Sequence, residues 1–181
     1  MIPEEVRSDD RGKVTHQLVK MLYFARSEFE RGLGGLTDDE ARFRPPKADG
    51  SLMNCITFTI GHLADQEWRL FVYGTGGPEN PLLQRFATGR PFTDPPLSEI
   101  LALWEAAKSG ADQWLSRASD ADMEQPARDW WENLGTCVMR TTYHYFFHAG
   151  EINATRQILG HPEIPFIGIL NGKLEFPLTP P

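Results

Sequence analysis

Apolar residues recur every three or four positions in four segments of this chain, and loops that contain Gly or Pro separate these segments. Such spacing is typical of an α-helix with one buried face. The predicted helices cover residues 10 to 33, Leu52 to Tyr73, a third segment that opens at residues 93 to 96 and reaches Leu115, and Thr136 to Leu159. A strand is the competing prediction for residues 55 to 60, but the apolar pattern continues past them without a turn. The sequence therefore predicts an all-α four-helix bundle.

Long connections join the predicted helices. The first, residues 36 to 50, has room for one short helical turn at Thr37 to Glu40. The second, Gly76 to Pro96, is long enough to traverse the bundle rather than turn tightly. We expect one domain over residues 1 to 181, with a bundle core at about 10 to 160 and a short C-terminal docking tail at 161 to 181.

Charge and composition exclude several functional classes. The chain has 181 residues and a net charge of −7 without a cluster of Lys and Arg, which disfavours a nucleic-acid partner. No apolar run approaches the roughly 18 to 20 residues of a membrane span. The acidic N-terminus lacks the basic and apolar stretches of a secretory signal, so we expect a cytoplasmic protein. The two cysteines, Cys55 and Cys137, are too few for a disulfide framework and are expected to be buried thiols.

Three histidines on two predicted helices are the candidate functional residues. His144 and His148 are four residues apart, so both side chains lie on one face of the fourth helix. His62 lies near the middle of the second helix, among apolar residues. Because mid-helix positions share one height in a bundle, the three imidazoles can meet and hold one divalent metal ion. Hydrogen bonding of the histidine pair to backbone or water is the alternative.

Three neutral imidazoles leave an ion its positive charge and at least one open position, which is typical of catalytic metal sites. Zinc is the first choice, and nickel, iron and cobalt also suit imidazole ligands. Such an ion lowers the pKa of a bound water or thiol. Glu151, Asp65 and Gln66 lie three or four residues from a histidine and can act as its hydrogen-bond partners or as proton acceptors. A solvated helix face is the alternative for these three.

The spacing disfavours two other metal motifs and a thiolate ligand. A metalloprotease HExxH motif needs Glu directly after the first histidine, where this chain has Tyr145. A di-iron bundle needs a carboxylate three residues before a histidine, and none of the three histidines has one. Cys55 and Cys137 each precede a histidine by seven residues, which places each thiol about 10 Å along the helix axis from the metal. His16 and His161 fall outside the apolar faces and are expected at the surface.

Together these motifs resemble the DinB/YfiT-like superfamily. The shared features are Gly-His-Leu at 61 to 63, His-x-x-x-His-x-Gly-Glu at 144 to 151 and Arg-Gln-Ile-Leu-Gly at 156 to 160, within a resemblance that spans about residues 10 to 160. The resemblance implies a bundle with up-down-down-up topology and a metal triad of His62, His144 and His148. The resemblance also links the chain to enzymes such as mycothiol-dependent maleylpyruvate isomerase and bacillithiol transferases. In these enzymes the metal activates a low-molecular-weight thiol.

Two functions of different class follow. The first is a metal-dependent thiol S-transferase, or a related isomerase or hydrolase, in which a metal-bound thiolate attacks an electrophilic substrate. Glu151 is its candidate catalytic group, and Arg69, Arg140 and Arg156 are candidates for binding a carboxylated thiol. The second is a non-catalytic helical protein that binds a metal or small ligand, with a role in stress. The expected partners are a small-molecule substrate and a second copy of the chain, forming a homodimer, but neither nucleic acid nor a membrane.

Overall fold

The structure is a computed structural model that describes residues 15–165. Within that range the chain forms seven α-helices and no strand, which confirms the all-α prediction. The helices are α1 (Gln17–Leu33), α2 (Asp38–Arg42), α3 (Ile56–Glu67), α4 (Pro81–Gln84), α5 (Leu97–Leu115), α6 (Asp120–Met123) and α7 (Leu134–Ile158). The long helices α1, α3, α5 and α7 form the bundle, and no helix among the described residues is long and apolar enough to cross a membrane. α1 begins at Gln17, where His16 caps it, rather than at residue 10 as predicted, and residues 10 to 14 lie outside the described range.

α3 begins later and ends differently than the sequence indicates. It starts at Ile56 rather than near Leu52, because the Sγ of Cys55 caps the helix by accepting a hydrogen bond from the N–H of Phe58. The strand alternative for this segment is therefore wrong. Ten of the 12 residues of α3 are buried, as its apolar pattern predicts. The helix continues through Trp68–Tyr73 with π-helical hydrogen bonds. The sequence predicts a helix as far as Tyr73 but not this change in hydrogen bonding.

The connections follow the predictions in part. The turn predicted at Thr37 to Glu40 becomes α2, which the Thr37 side chain caps. The connection of residues 76 to 96 contains the short helix α4. After α7, the N–H of Ile164 donates a hydrogen bond to the side-chain oxygen of Asn153, 3.1 Å away. The rest of the predicted docking tail, residues 166 to 181, lies outside the described range.

The two histidines expected at the surface connect separate elements. His16 caps α1 by accepting a hydrogen bond from the N–H of Leu18, and its Nε2 lies 2.9 Å from a carboxylate oxygen of Asp120. The Nε2 of His161 lies 3.0 Å from a carboxylate oxygen of Glu40. Each imidazole is only 21 % exposed. Both side chains therefore lie at the edge of the bundle rather than free at the surface.

α3 and α7 lie against each other in opposite directions. The rings of His62 on α3 and His144 on α7 have centroids 4.9 Å apart. One turn later on α3, Gln66 donates a hydrogen bond to the hydroxyl oxygen of Thr141, which lies almost one turn earlier on α7. Later residues of α3 thus contact earlier residues of α7. This antiparallel pairing decides which side chains of the two helices can form a common site.

α1 and α7 lie against each other in the same direction. The Phe24 and Phe146 rings have centroids 6.0 Å apart, and further along both helices a Cβ on Gly32 would lie 3.3 Å from the Ile152 side chain. These two pairings are compatible with the up-down-down-up order, which for the whole bundle stays a prediction.

A buried ionic network crosses the core between the four long helices. Arg26 of α1 donates a hydrogen bond through Nε to the carboxylate of Glu67, 2.9 Å away, and the hydroxyl of Tyr145 donates to the same carboxylate. The indole N–H of Trp104 donates to the Tyr145 oxygen at 2.8 Å. Burial raises the pKa of Tyr145 well above its usual value, so its hydroxyl stays protonated. Each of these polar side chains has a partner, as a low-dielectric interior requires.

Candidate metal centre

The antiparallel pair of α3 and α7 brings the three predicted histidines together. His62 extends from α3, and His144 and His148 extend from one face of α7. One nitrogen of each imidazole lies within 4.8 Å of a nitrogen of the other two. The three rings have centroids 4.5 to 5.8 Å apart. The three side chains thus form one compact group of nitrogen donors that could hold a metal ion.

The backbone of Phe86 orients His62. The Nδ1 of His62 lies 3.0 Å from the carbonyl oxygen of Phe86, so Nδ1–H donates and Nε2 of the neutral ring keeps its lone pair. Phe86 can approach α3 this closely because Gly61 has no side chain; a Cβ there would lie 2.5 Å from the Phe86 ring. The ring of Phe58 stacks on His62 with planes 9° apart. Phe86 lies 24 residues from His62 and belongs to no local motif, so no sequence pattern indicates this contact.

The carboxylate of Glu151 orients His148. The Nδ1 of His148 lies 2.6 Å from Oε2 of Glu151, so Nδ1–H donates and Nε2 keeps its lone pair. This is the contact that the three-residue spacing suggests. Metal-binding histidines commonly donate their other N–H to such an acceptor, which fixes the tautomer and the ring orientation. Partial burial raises the pKa of Glu151, against the opposing charge of His62.

His144 differs from the other two histidines because no carbonyl or carboxylate orients it. Its Nε2 lies 2.8 Å from Nε2 of His148, and its buried Nδ1 has no hydrogen-bond partner among the described residues. Since Nε2 of His148 keeps its lone pair, Nε2–H of His144 donates to it. Metal binding through this nitrogen requires the proton to leave, and the unpartnered Nδ1 can accept it.

The environment keeps the imidazoles of His144 and His148 neutral. Burial lowers the pKa of His144 to about 3, with a further contribution from the charge of His148. Burial likewise lowers the pKa of His148 to about 4, with a contribution from His62. Both rings are therefore uncharged at pH 7. Neutral imidazole is the form that binds metal ions.

The donor set fits a divalent ion. Zinc–nitrogen bonds are about 2.0 to 2.1 Å, so two nitrogens on one ion lie at most about 4.2 Å apart. Nitrogens within 4.8 Å of one another need only small ring rotations to reach that range. Cys55 and Cys137 are buried free thiols, as predicted, and burial raises the pKa of Cys137 to about 11. The site thus consists of imidazoles without a thiolate.

The other candidate residues near the histidines have different partners. Gln66 uses its side-chain amide to join α3 to α7. The carboxylate of Asp65 lies 3.9 Å from Nε of Arg69, and burial raises the pKa of Asp65. Unlike Gln66 and Asp65, Glu151 contacts a nitrogen of one of the three histidines.

The three candidate arginines are also engaged by protein groups. Arg140 pairs with the carboxylate of Glu132. Arg156 donates two hydrogen bonds to backbone carbonyls at the end of α1. The guanidinium of Arg69 lies over an indole ring, 4.4 Å from its centroid. These partners weaken the expectation that an arginine binds a carboxylated thiol.

A cavity of about 210 Å³ lies beside Glu151, between the start of α3 and the second half of α7. Its wall is formed by Lys47, Leu52, Met53, Asn54, Cys55, Ile56, Thr59, Glu151, Ile152 and Thr155. The wall contains one ammonium, one carboxylate and several hydroxyl or amide groups. Glu151 belongs both to this wall and to the histidine site.

Comparison with known proteins agrees with this arrangement. The model of the DinB superfamily matches residues 21–152. The chain belongs to the DinB superfamily. No curated protein matches it. Members of this superfamily often bind metal, and the group formed by His62, His144 and His148 is compatible with that property.

Proposed function

We propose that this DinB superfamily member is a metal-dependent enzyme that transfers a low-molecular-weight thiol to an electrophilic substrate. The observation that carries the proposal is the convergence of three imidazoles, two of which donate Nδ1–H to an acceptor and so keep the lone pair on Nε2. His62, His144 and His148 would hold the ion, with zinc as the first choice and nickel, iron or cobalt as alternatives. A divalent ion there would lower the pKa of a thiol and so supply a nucleophile near neutral pH.

Glu151 is the proposed proton acceptor of this enzyme. Its carboxylate holds the Nδ1 proton of His148 and also lines the cavity. The second carboxylate oxygen is available for the proton that the thiol loses when it becomes a thiolate. The raised pKa of Glu151 makes it a stronger base than a free glutamate. Glu151 therefore orients one ligand and can remove a proton in the same site.

The cavity beside Glu151 is the proposed place for the reactants. The ammonium of Lys47 can pair with a carboxylate of the thiol, a role for which the three arginines are less suited because each has a protein partner. The hydroxyls of Thr59 and Thr155 donate to backbone carbonyls of their own helices, so their oxygens can accept hydrogen bonds from the same molecule. A volume of about 210 Å³ suits part of a thiol rather than a large ligand.

The experiment is a transfer assay with metal-free protein that is reloaded separately with each of the four metals. Each form is mixed with a chlorobimane and with cysteine, glutathione or coenzyme A, and the fluorescence of the thioether is followed. Glu151→Gln should retain metal but lose about 100-fold in turnover, the typical contribution of a general base. Glu124→Gln, at an exposed glutamate of the connection before α7, is the matched control and should be unchanged.

Turnover that needs the metal and Glu151 supports the enzyme. Turnover that survives complete metal removal contradicts it. Metal uptake with no turnover of any thiol would favour a non-catalytic protein that binds a metal or small ligand.

A further inference from the structure

One exposed face of α7 is mostly apolar from Met139 to the end of the helix, where the exposed Gln157 is its polar member. Its other residues are Met139, Tyr143, Phe146, Phe147, Gly150, Ala154 and Ile158. Apart from the neighbours Phe146 and Phe147, these seven follow one another at three- or four-residue intervals, so they form a single stripe along the helix. None of them carries a charge. We call this stripe the α7 apolar face.

The α7 apolar face is large enough to form an interface. Its five large side chains are 39 % to 70 % exposed, and at about 200 Å² each they leave about 500 Å² of apolar surface accessible. A protein–protein interface of standard size buries about 800 Å² on each partner, of which about 60 % is apolar. The face therefore supplies the apolar part of one standard interface.

Large and small side chains are segregated along this face. Four of the five large side chains lie in the first half of the stripe, whereas Gly150, Ala154 and the fifth large side chain, Ile158, lie in the second half. A Cβ on Gly150 would meet no atom within 4 Å, so the space above this part of the helix is open. In an isologous pair about a two-fold axis, each half of a stripe faces the opposite half of its partner. Bulky side chains of one copy then face Gly150 and Ala154 of the other.

We infer that the α7 apolar face binds the same face of a second copy of this chain, with the two α7 helices antiparallel. Tyr143 of each copy faces Ala154 of the other, and Phe147 faces Gly150. Two charged residues border this face, and each already has a partner in its own chain: Arg140 pairs with Glu132, and Glu151 accepts a hydrogen bond from His148. Neither charged group therefore enters the interface without a partner.

The dimer places a second protein surface beside the metal centre. The Phe147 ring lies against His148, with centroids 5.3 Å apart and planes nearly perpendicular. Small residues of the partner that cover Phe147 would exclude water from this side of the imidazole. The inference stands independently of catalysis, since association can be measured whether or not the protein turns over a thiol.

Sedimentation velocity of the full chain tests the inference. The wild type should sediment with twice the 20.5 kDa mass of the chain at micromolar concentrations. Ala154→Glu should raise the dissociation constant at least 100-fold, because a carboxylate would be buried against Tyr143 of the partner. Ala102→Glu is the matched control, since it makes the same change at an exposed alanine of α5. It should remain dimeric.

Folding is checked by circular dichroism and metal uptake, and Tyr143→Lys provides a second variant at a side chain that is 70 % exposed. A wild type that stays monomeric overturns the inference, and so does a dimer that both variants leave intact. A monomer that Ala154→Glu destabilises would indicate that another part of the same chain, such as residues 166 to 181, covers the face. That result also overturns the inference.

The orientation of the helices can be measured with one nitroxide label. Ile158→Cys offers an exposed labelling position, while the native Cys55 and Cys137 are fully buried. In the antiparallel pair the two labelled positions lie about 28 Å apart along the helix axes, at about 1.5 Å per residue. In a parallel pair they would lie about 10 Å apart, the usual spacing between packed helices. A short distance overturns the antiparallel arrangement.

Discussion

Gly61→Ala should disturb both the core and the metal centre. The new Cβ would lie 2.5 Å from carbon atoms of the Phe86 ring, whereas carbon atoms in contact are about 3.5 to 4.0 Å apart. The ring must therefore retreat by about 1 Å in a region where Phe86 is fully buried. The carbonyl of Phe86 would move with it, and His62 would lose the acceptor that orients its ring.

The change in the free energy of unfolding of Gly61→Ala is the sum of two opposing effects. Overpacking a well-filled core costs about 1 to 3 kcal/mol, and replacing Gly by Ala inside a helix gains about 1 kcal/mol. Gly150→Ala on α7 is the matched control, because it gains the same helix propensity without meeting any atom within 4 Å. The difference in free energy of unfolding between the two variants should therefore equal the overpacking cost, about 1 to 3 kcal/mol. Both variants are made on an Ala154→Glu background, so that dimerisation does not contribute.

Urea denaturation of the metal-free proteins measures this difference, and competition with a zinc-binding dye measures metal affinity. Loss of an orienting partner typically lowers metal affinity 10- to 100-fold, and Gly61→Ala should fall within about that range. Equal stability and equal affinity of the two variants would refute the reasoning. Lower stability with unchanged affinity would show that the Phe86 carbonyl does not orient His62.

Four further predictions concern the site and the core. Elemental analysis should find close to one divalent metal per chain, and His148→Ala should abolish it; a folded wild type that takes up none, purified without chelator, would contradict the metal site. Metal-free protein should lose stability as the pH falls from about 6.5 toward 4, because the pKa values of His144 and His148, about 3 and about 4, lie below the unfolded value of about 6.5 and the unfolded chain binds more protons. The loss, measured by urea denaturation, should be at most about 1.4 kcal/mol per pH unit for each histidine and should disappear when both are replaced by Gln. Oxidised and reduced samples should melt alike, since Cys55 and Cys137 are separate buried thiols; a native disulfide found by mass spectrometry would contradict the antiparallel pairing of α3 and α7. Tyr145→Phe should cost about 1 to 3 kcal/mol in urea denaturation, because it removes two buried hydrogen bonds; a smaller loss would show that the network contributes little.

The common height of the three histidines could be predicted because it depends on helix geometry alone, whereas the contact between α3 and α7 that joins them depends on packing. The four-residue spacing of His144 and His148 fixes their common face, and the position of His62 in the middle of an apolar segment fixes its height. The Glu151 contact with His148 follows from the same geometry, since residues three apart on a helix are neighbours. Predictions of this kind require no knowledge of the connections.

The remaining parts of the site depend on contacts that no local pattern encodes. Phe86 reaches His62 from a connection, through a backbone carbonyl that every residue type possesses. The helix start at Cys55 was missed for a related reason. Ser, Thr, Asp and Asn are the usual caps, so the sequence does not indicate that the Cys55 thiol fills that role. Long-range packing, rather than local preference, selects these partners.

The buried ionic network explains how the imidazoles meet before any metal arrives. Tyr145 directly follows His144 on α7, so the two side chains point in different directions, one toward Glu67 and one toward His62. Glu67 lies on the same helix as His62. A slip of α7 along α3 by one turn would therefore break the ionic network and separate the imidazoles together. Because Arg26 also holds Glu67 from α1, the core fixes the relative position of α3 and α7 independently of the metal. Metal binding then needs only a shift of one proton and small ring rotations, unlike zinc fingers, where the ion must also fold the chain.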